Sequence, residues 1–157
     1  MKKNLLAAAT FGVATAAAAF LGSRFTPSGN IGRWYDSLDK PPFTPPNVTF
    51  PIVWTTLYVM IAVSAFRVWK VGDGTERTRA LTFWGTQLAL NAAWSPIFFG
   101  ARQPGLALID LVALFVAIAA YTNSARRIDR PAAWLMAPYL AWVAFAGALN
   151  AEIARRN

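Results

Sequence analysis

Five apolar stretches of membrane-spanning length, at about 5–21, 48–69, 81–99, 105–124 and 132–151, restrict what this chain can become more than any other feature. A helix needs ~20 residues to cross a bilayer core, and every backbone N–H and C=O inside that core must find its partner within the protein. Only helices and closed barrels meet that demand. The stretches are continuously apolar and rich in Ala and Leu, without the alternation that a barrel strand requires. The sequence therefore predicts an all-α fold, a single integral membrane domain of five transmembrane helices over residues 1–157. Hydrophobic residues make up 56% of the chain and charged residues 14%, a balance that sets aside a soluble globule.

The first stretch, in MKKNLLAAATFGVATAAAAFLGS, also has the basic start of a signal peptide. Its apolar run is longer than the ~7–15 residues of a signal core. Ala8, Gly12 and Ala16 form a small-residue ridge suited to close helix packing, so a retained helix is expected. Lys2, Lys3, Arg67, Lys70, Arg77, Arg79, Arg126, Arg127 and Arg130 fall on one side of the membrane. Arg24, Arg33, Lys40, Arg102, Arg155 and Arg156 fall on the other, and this excess favours a cytoplasmic N-terminus. The net charge of +8 thus belongs to helix ends facing a lipid bilayer, and nucleic acid is not an expected partner. A multi-pass protein is expected, with a bacterial inner membrane favoured over an outer one.

The chain has no Cys and no His, which excludes disulfides, Cys or His nucleophiles and the commonest metal and haem ligands. No metal site or enzymatic acid–base pair is expected. The hydrogen-bonding capacity lies instead in Gly85–Gln103, GTQLALNAAWSPIFFGARQ. Gln87 and Asn91 are spaced i, i+4, and Trp84, Trp94 and Ser95 continue their stripe, so one helix face carries the polar groups and must look inward. A buried amide without a partner costs about 1–3 kcal/mol. On the opposite face, Gly85, Ala89 and Ala93 repeat every four residues, which suits either a homodimer contact or packing on the first helix.

The long connection at 22–47 contains GRWYDSLDKPPFTPP. Pro41, Pro42, Pro45 and Pro46 fix φ, while Trp34, Tyr35 and Phe43 supply apolar bodies, so a stiff lid over the bundle end is one reading. A surface loop with aromatics at headgroup depth is the other. Chain direction brings the lid-side halves of the second to fifth helices together. Trp54, Tyr58, Asn91, Trp94, Trp142 and Phe145 then share one space with Asp110 and Asn150, with Gln87 a turn deeper. Trp69, Trp84, Tyr121 and Trp134 are expected in an aromatic belt at the opposite face. Asp110, the one acid inside a span, is expected to reach Arg102, the headgroups or the neighbourhood of Asn150. Pro96 and Pro138 are expected to bend their helices.

The segments WYDSLDKPPFTPP, VWTTLY, GTQLALNAAWSPIFFGARQ and PYLAWVAFAGALN together resemble the translocator protein family, also called tryptophan-rich sensory proteins or peripheral-type benzodiazepine receptors. The resemblance covers nearly the whole chain in order. It implies a five-helix bundle, commonly a homodimer, that binds porphyrins, sterols and synthetic aromatic ligands in a pocket under the first loop. Carried over by position, the ligand-contacting residues would be Trp54, Trp142 and Asn91. Two departures stand out: Phe43 replaces the usual loop tryptophan, and Tyr139 has no basic residue shortly after it, so the sterol-recognition pattern is incomplete.

A porphyrin such as protoporphyrin IX, or a weakly held haem, suits this set as a ligand, and no cofactor is required. Trp54, Tyr58 and Trp142 would stack on the macrocycle, while Asn91, Gln87 and lid-side Arg or Lys answer its polar edge. The resemblance also implies light-dependent porphyrin breakdown, with Trp142 as redox partner. Binding and sensing of tetrapyrroles is the leading expectation over transport, for which no internal repeat is visible, and over enzymatic degradation.

Overall fold

The structure, a computed structural model, describes residues 2–157; residue 1 of the expected domain lies outside the described residues. The chain forms α1 (Lys2–Ser23), α2 (Gly29–Ser37), α3 (Thr49–Val71), α4 (Gly74–Ser95), α5 (Pro104–Ile128), α6 (Arg130–Trp134) and α7 (Ala137–Arg156). No strand occurs among the described residues, so the fold is all-α. Four stretches are long and apolar enough to cross a membrane: α1, α3, α5 and the run Arg130–Arg156. α4 is of similar length at 22 residues, but Glu76, Arg77, Arg79, Gln87 and Asn91 make it more polar. It packs along α5 and also meets α1 and α3, which places its amides inside a helical membrane bundle.

The helices run further than the apolar windows. α4 begins at Gly74, seven residues before the apolar run at 81, because charged and polar residues propagate helices well. Hydropathy reports what sits in lipid, not where a helix stops. The α3–α4 turn depends on Gly72, where an added Cβ would fall 2.8 Å from the Val68 carbonyl oxygen. Arg77 reaches back over that turn and donates to the carbonyls of Trp69 and Gly72, at 3.5 and 3.3 Å. At the end of α5, Asp129 accepts two bonds from Arg67 of α3, at 2.6 and 3.2 Å. This fork fixes the entry to α6.

The core joins Leu57, Ile61 and Ala65 of α3 to Leu111, Leu114 and Ile118 of α5 and to Tyr139 and Val143 of α7. Trp84 and Tyr121 belong to this core and not to an interfacial belt. The Trp84 indole donates to the Ile61 carbonyl at 3.2 Å and meets Phe11 edge-on at 5.2 Å. The Tyr121 hydroxyl lies 2.8 Å from Ser64 Oγ, which donates to the Ala132 carbonyl. Trp69 is half-buried on Phe66, and Trp134 remains 75% exposed.

Three further expectations are corrected. The connection at 22–47 is not irregular throughout, since α2 carries Trp34 and Tyr35 on a short helix. Pro138 does not bend a helix: the chain breaks at Leu135–Met136, and Pro138 occupies the first turn of α7, where its missing N–H leaves no bond unmade. α1 faces the bundle with Ala7, Phe11, Thr15 and Ala18, leaving Ala8 and Ala16 exposed. Gly85 and Ala89 of the small-residue face of α4 are exposed as well, while Ala93 is half-buried.

Candidate functional site

On the lid side, the bundle holds a partly open cavity of about 610 Å³. Its wall is built by a distortion in α4. Pro96 cannot donate to the α-helical ladder, and the chain continues from Pro96 to Gly100 as one wider π-helical turn, with the Ala101 N–H donating to the Pro96 carbonyl at 2.8 Å. The extra residue in that turn aims Phe98 inward, where it stacks on Trp94 at 4.9 Å and meets Trp34 and Tyr35 of α2. Gly100 is needed here because any Cβ would come within 2.9 Å of the Phe25 ring. Pro96 thus perturbs its helix as expected, by widening a turn that seats the lid.

Trp54, Tyr58, Asn91, Trp94 and Trp142 all line this cavity. Phe145 stands behind Trp142, with ring centroids 5.5 Å apart, and touches Phe43 of the lid at 6.4 Å. Gln87 is fully buried one turn below Asn91 and does not reach the wall. Of the lid residues, Tyr35 lines the cavity, Trp34 backs it through Phe98, and Phe43 lies outside the lining against Phe145, 48% exposed. Burial pushes the Tyr35 hydroxyl above its ordinary value, and the neighbouring Asp36 carboxylate adds to the effect, so the lid's contribution to the wall stays uncharged.

The sequence reading missed the end of α1. Ala19, Phe20, Gly22 and Ser23 also line the cavity, as does Phe98. The signal was available: α1 ends on the lid side like the other contributors, and Phe98 follows Trp94 by one helical turn.

Hydrogen bonds tie the polar wall together. Tyr58 donates to Asn91 Oδ1 at 2.7 Å, and Asn91 Nδ2 donates to the Tyr139 hydroxyl at 2.9 Å, so one amide clamps α3, α4 and α7. Trp94 donates to Asn150 Oδ1, and Asn150 Nδ2 donates to the Pro104 carbonyl, at 3.1 and 2.7 Å. Four buried polar atoms lack a partner: both of the Gln87 amide, Asp110 Oδ2 and Trp142 Nε1. Asp110 is buried without an ion pair among the described residues, so it does not reach Arg102.

Among the described residues, no Lys, Arg, Asp or Glu lines the cavity. Lys40, the closest lid base in sequence, turns away to donate to the Tyr35 carbonyl at 2.6 Å and covers the Tyr35 ring at 4.6 Å. Lid-side cations therefore do not answer a ligand from within the wall. The arrangement can hold a flat, apolar body by stacking.

Residues 10–156 match the TspO/MBR family. The chain belongs to that family. It is 44% identical to the translocator protein of Homo sapiens over 149 residues, covering 94% of this chain and 88% of the relative. It is 37% identical to the tryptophan-rich sensory protein of Cereibacter sphaeroides, covering 94% and 89% of the two chains. It is 36% identical to the tryptophan-rich protein TspO of Chlorobaculum tepidum, over 100% and 99%. Membership and the apolar helices together make this a multi-pass membrane protein.

Proposed function

We propose that this protein is a membrane receptor for porphyrins and related flat hydrophobic ligands, acting in tetrapyrrole sensing or handling. One observation carries the reading: a partly open cavity walled by Trp54, Tyr58, Trp94 and Trp142, with no charged side chain in its lining among the described residues. Its volume falls in the range of ligand pockets, roughly 300–1,000 Å³. Trp54 and Tyr58, 5.5 Å apart and tilted by 30°, offer adjacent faces to a macrocycle. The name of the relative from Cereibacter sphaeroides supports a sensing role. Because the wall is uncharged, the dimethyl ester of protoporphyrin IX is expected to bind as well as the diacid in the same titration, and a much weaker ester would point to a cation contacting the propionates. Helical spans suit a bacterial inner membrane.

Titration with protoporphyrin IX, followed by tryptophan quenching and absorbance in darkness and then under illumination, tests this directly. Trp142→Phe keeps a ring but loses the N–H and part of the stacking surface. Its affinity is expected to fall by about 0.5–1.5 kcal/mol, and any light-driven loss of the porphyrin to slow. Unchanged binding and photochemistry would remove Trp142 from the site.

We also propose a homodimer through the open face of α4. Gly85 and Ala89 are exposed, and a Cβ at Gly85 would meet nothing within 4 Å, so a second copy could approach closely there. Ala89→Leu is expected to give monomers in detergent by mass measurement while leaving porphyrin affinity intact, since Asn91 lies on the other face. A variant that stays fully dimeric would place the contact elsewhere.

A further inference from the structure

The lid is fastened from outside the cavity, at a point 118 residues away in the chain. The Asp39 N–H donates to Asn157 Oδ1 at 3.0 Å, and Asn157 Nδ2 donates back to the Asp39 carbonyl at 3.3 Å. A side-chain amide thereby pairs with both backbone groups of one residue, as a neighbouring strand would. Asn157 Nδ2 also donates to the Ile153 carbonyl at 2.9 Å, which holds the amide against α7. Arg156 adds an ion pair to the Asp39 carboxylate at 3.6 Å and is itself steadied by Glu152 at 3.2 Å.

What surrounds this contact gives it leverage. Ile153, one turn before Asn157, is buried in the cavity wall, and Pro41, two residues after Asp39, is fully buried under the lid. On the α7 side a single turn thus separates the fastening from the ligand space, and on the lid side two residues separate it from a buried proline. The fastening is polar and lies at the surface, where water competes for each bond, so it holds without being permanent.

We propose that Asn157 and Arg156 are positioning residues that latch the lid shut, and that release of this latch governs how fast a ligand leaves. The proposal rests on the reading of the cavity as a porphyrin site. Local opening at residues 38–44 breaks the Asp39 contacts and lifts Pro41 and Phe43 from their packing, whereas the aromatic packing of Tyr35 on Phe98 and Phe99 can persist as the pivot.

Two measurements on the full chain in lipid nanodiscs decide it. Hydrogen exchange of the 38–44 segment in the ligand-free protein reads the latch alone. Stopped-flow release of protoporphyrin IX reads its consequence. Asn157→Ala is expected to raise lid exchange and ligand release by roughly tenfold each, and Arg156→Gln by a smaller factor in the same direction. Arg126→Ala, which removes an exposed base at the end of α5, is expected to leave both at parental values. Lid exchange unchanged in Asn157→Ala overturns the latch, whatever the ligand does. Faster exchange with unchanged release overturns its control of the ligand. A parental protein that fails to bind protoporphyrin IX sinks the binding reading, and lid exchange still judges the latch.

Discussion

Trp84→Ala is expected to destabilise the protein by about 3–5 kcal/mol, the scale of a large buried aromatic lost to a cavity. This side chain connects three helices. Its ring packs against Phe11 of α1, its N–H donates to the Ile61 carbonyl of α3, and its backbone belongs to α4. Removing it leaves a void that lipid cannot fill and opens the seam that holds α1, where van der Waals contact is the main cohesive force. Trp134→Ala makes the opposite test. That side chain is 75% exposed, and its loss is expected to stay within about 0.5 kcal/mol. Unfolding in graded denaturing detergent separates the two, and equal effects would contradict the placement of Trp84 in the core.

Deleting residues 41–46 is expected to raise the dissociation rate of protoporphyrin IX on the order of 100-fold while slowing association little. The segment packs beside the cavity wall through buried Pro41, through Phe43 against Phe145, which backs Trp142, and through the turn in which the Thr44 N–H and hydroxyl both donate to the Pro41 carbonyl, at 3.0 and 2.7 Å. Its prolines keep the open state from gaining much freedom, so closure costs little entropy. A companion variant with Pro41, Pro42, Pro45 and Pro46 changed to Gly keeps the length and loses only the stiffness, and an intermediate rate is expected from it. Parental release from a folded deletion variant would show that the lid does not retain the ligand.

Much of this architecture could be read from residue order. The apolar windows located the long helices, since twenty-residue runs in lipid leave the backbone no other arrangement. The spacing of Trp54, Tyr58, Asn91 and Trp94, with Trp142, placed five side chains on one cavity because chain direction alone sets which helix halves are neighbours. What stayed hidden depends on rotation and local geometry. Height along a span follows from counting residues, whereas the direction a side chain faces does not. Trp84 and Tyr121 sit at belt height yet point inward. For Trp84 the clue was present, because it precedes Gln87 by three residues and shares the face of the amides. α2 escaped notice because nine residues between glycine and proline-rich segments give too little periodicity to register. The π turn at Pro96–Gly100 had only the proline to announce it, and a proline equally allows a kink or a helix start, as Pro138 illustrates.

The clamp around Asn91 also bears on how the chain is assembled as it leaves the ribosome. α4 is the least oily of the long helices, and its amide needs two hydroxyls from elsewhere. Tyr58 has already been synthesised when α4 emerges, but Tyr139 follows Asn91 by 48 residues. Until α7 arrives, half of that clamp has no protein partner, and α4 depends on α3 and on residual water or headgroups to satisfy it. Integration of α4 is thus completed by α7, and the aromatic cavity comes into being in the same step that settles α4 in the bilayer.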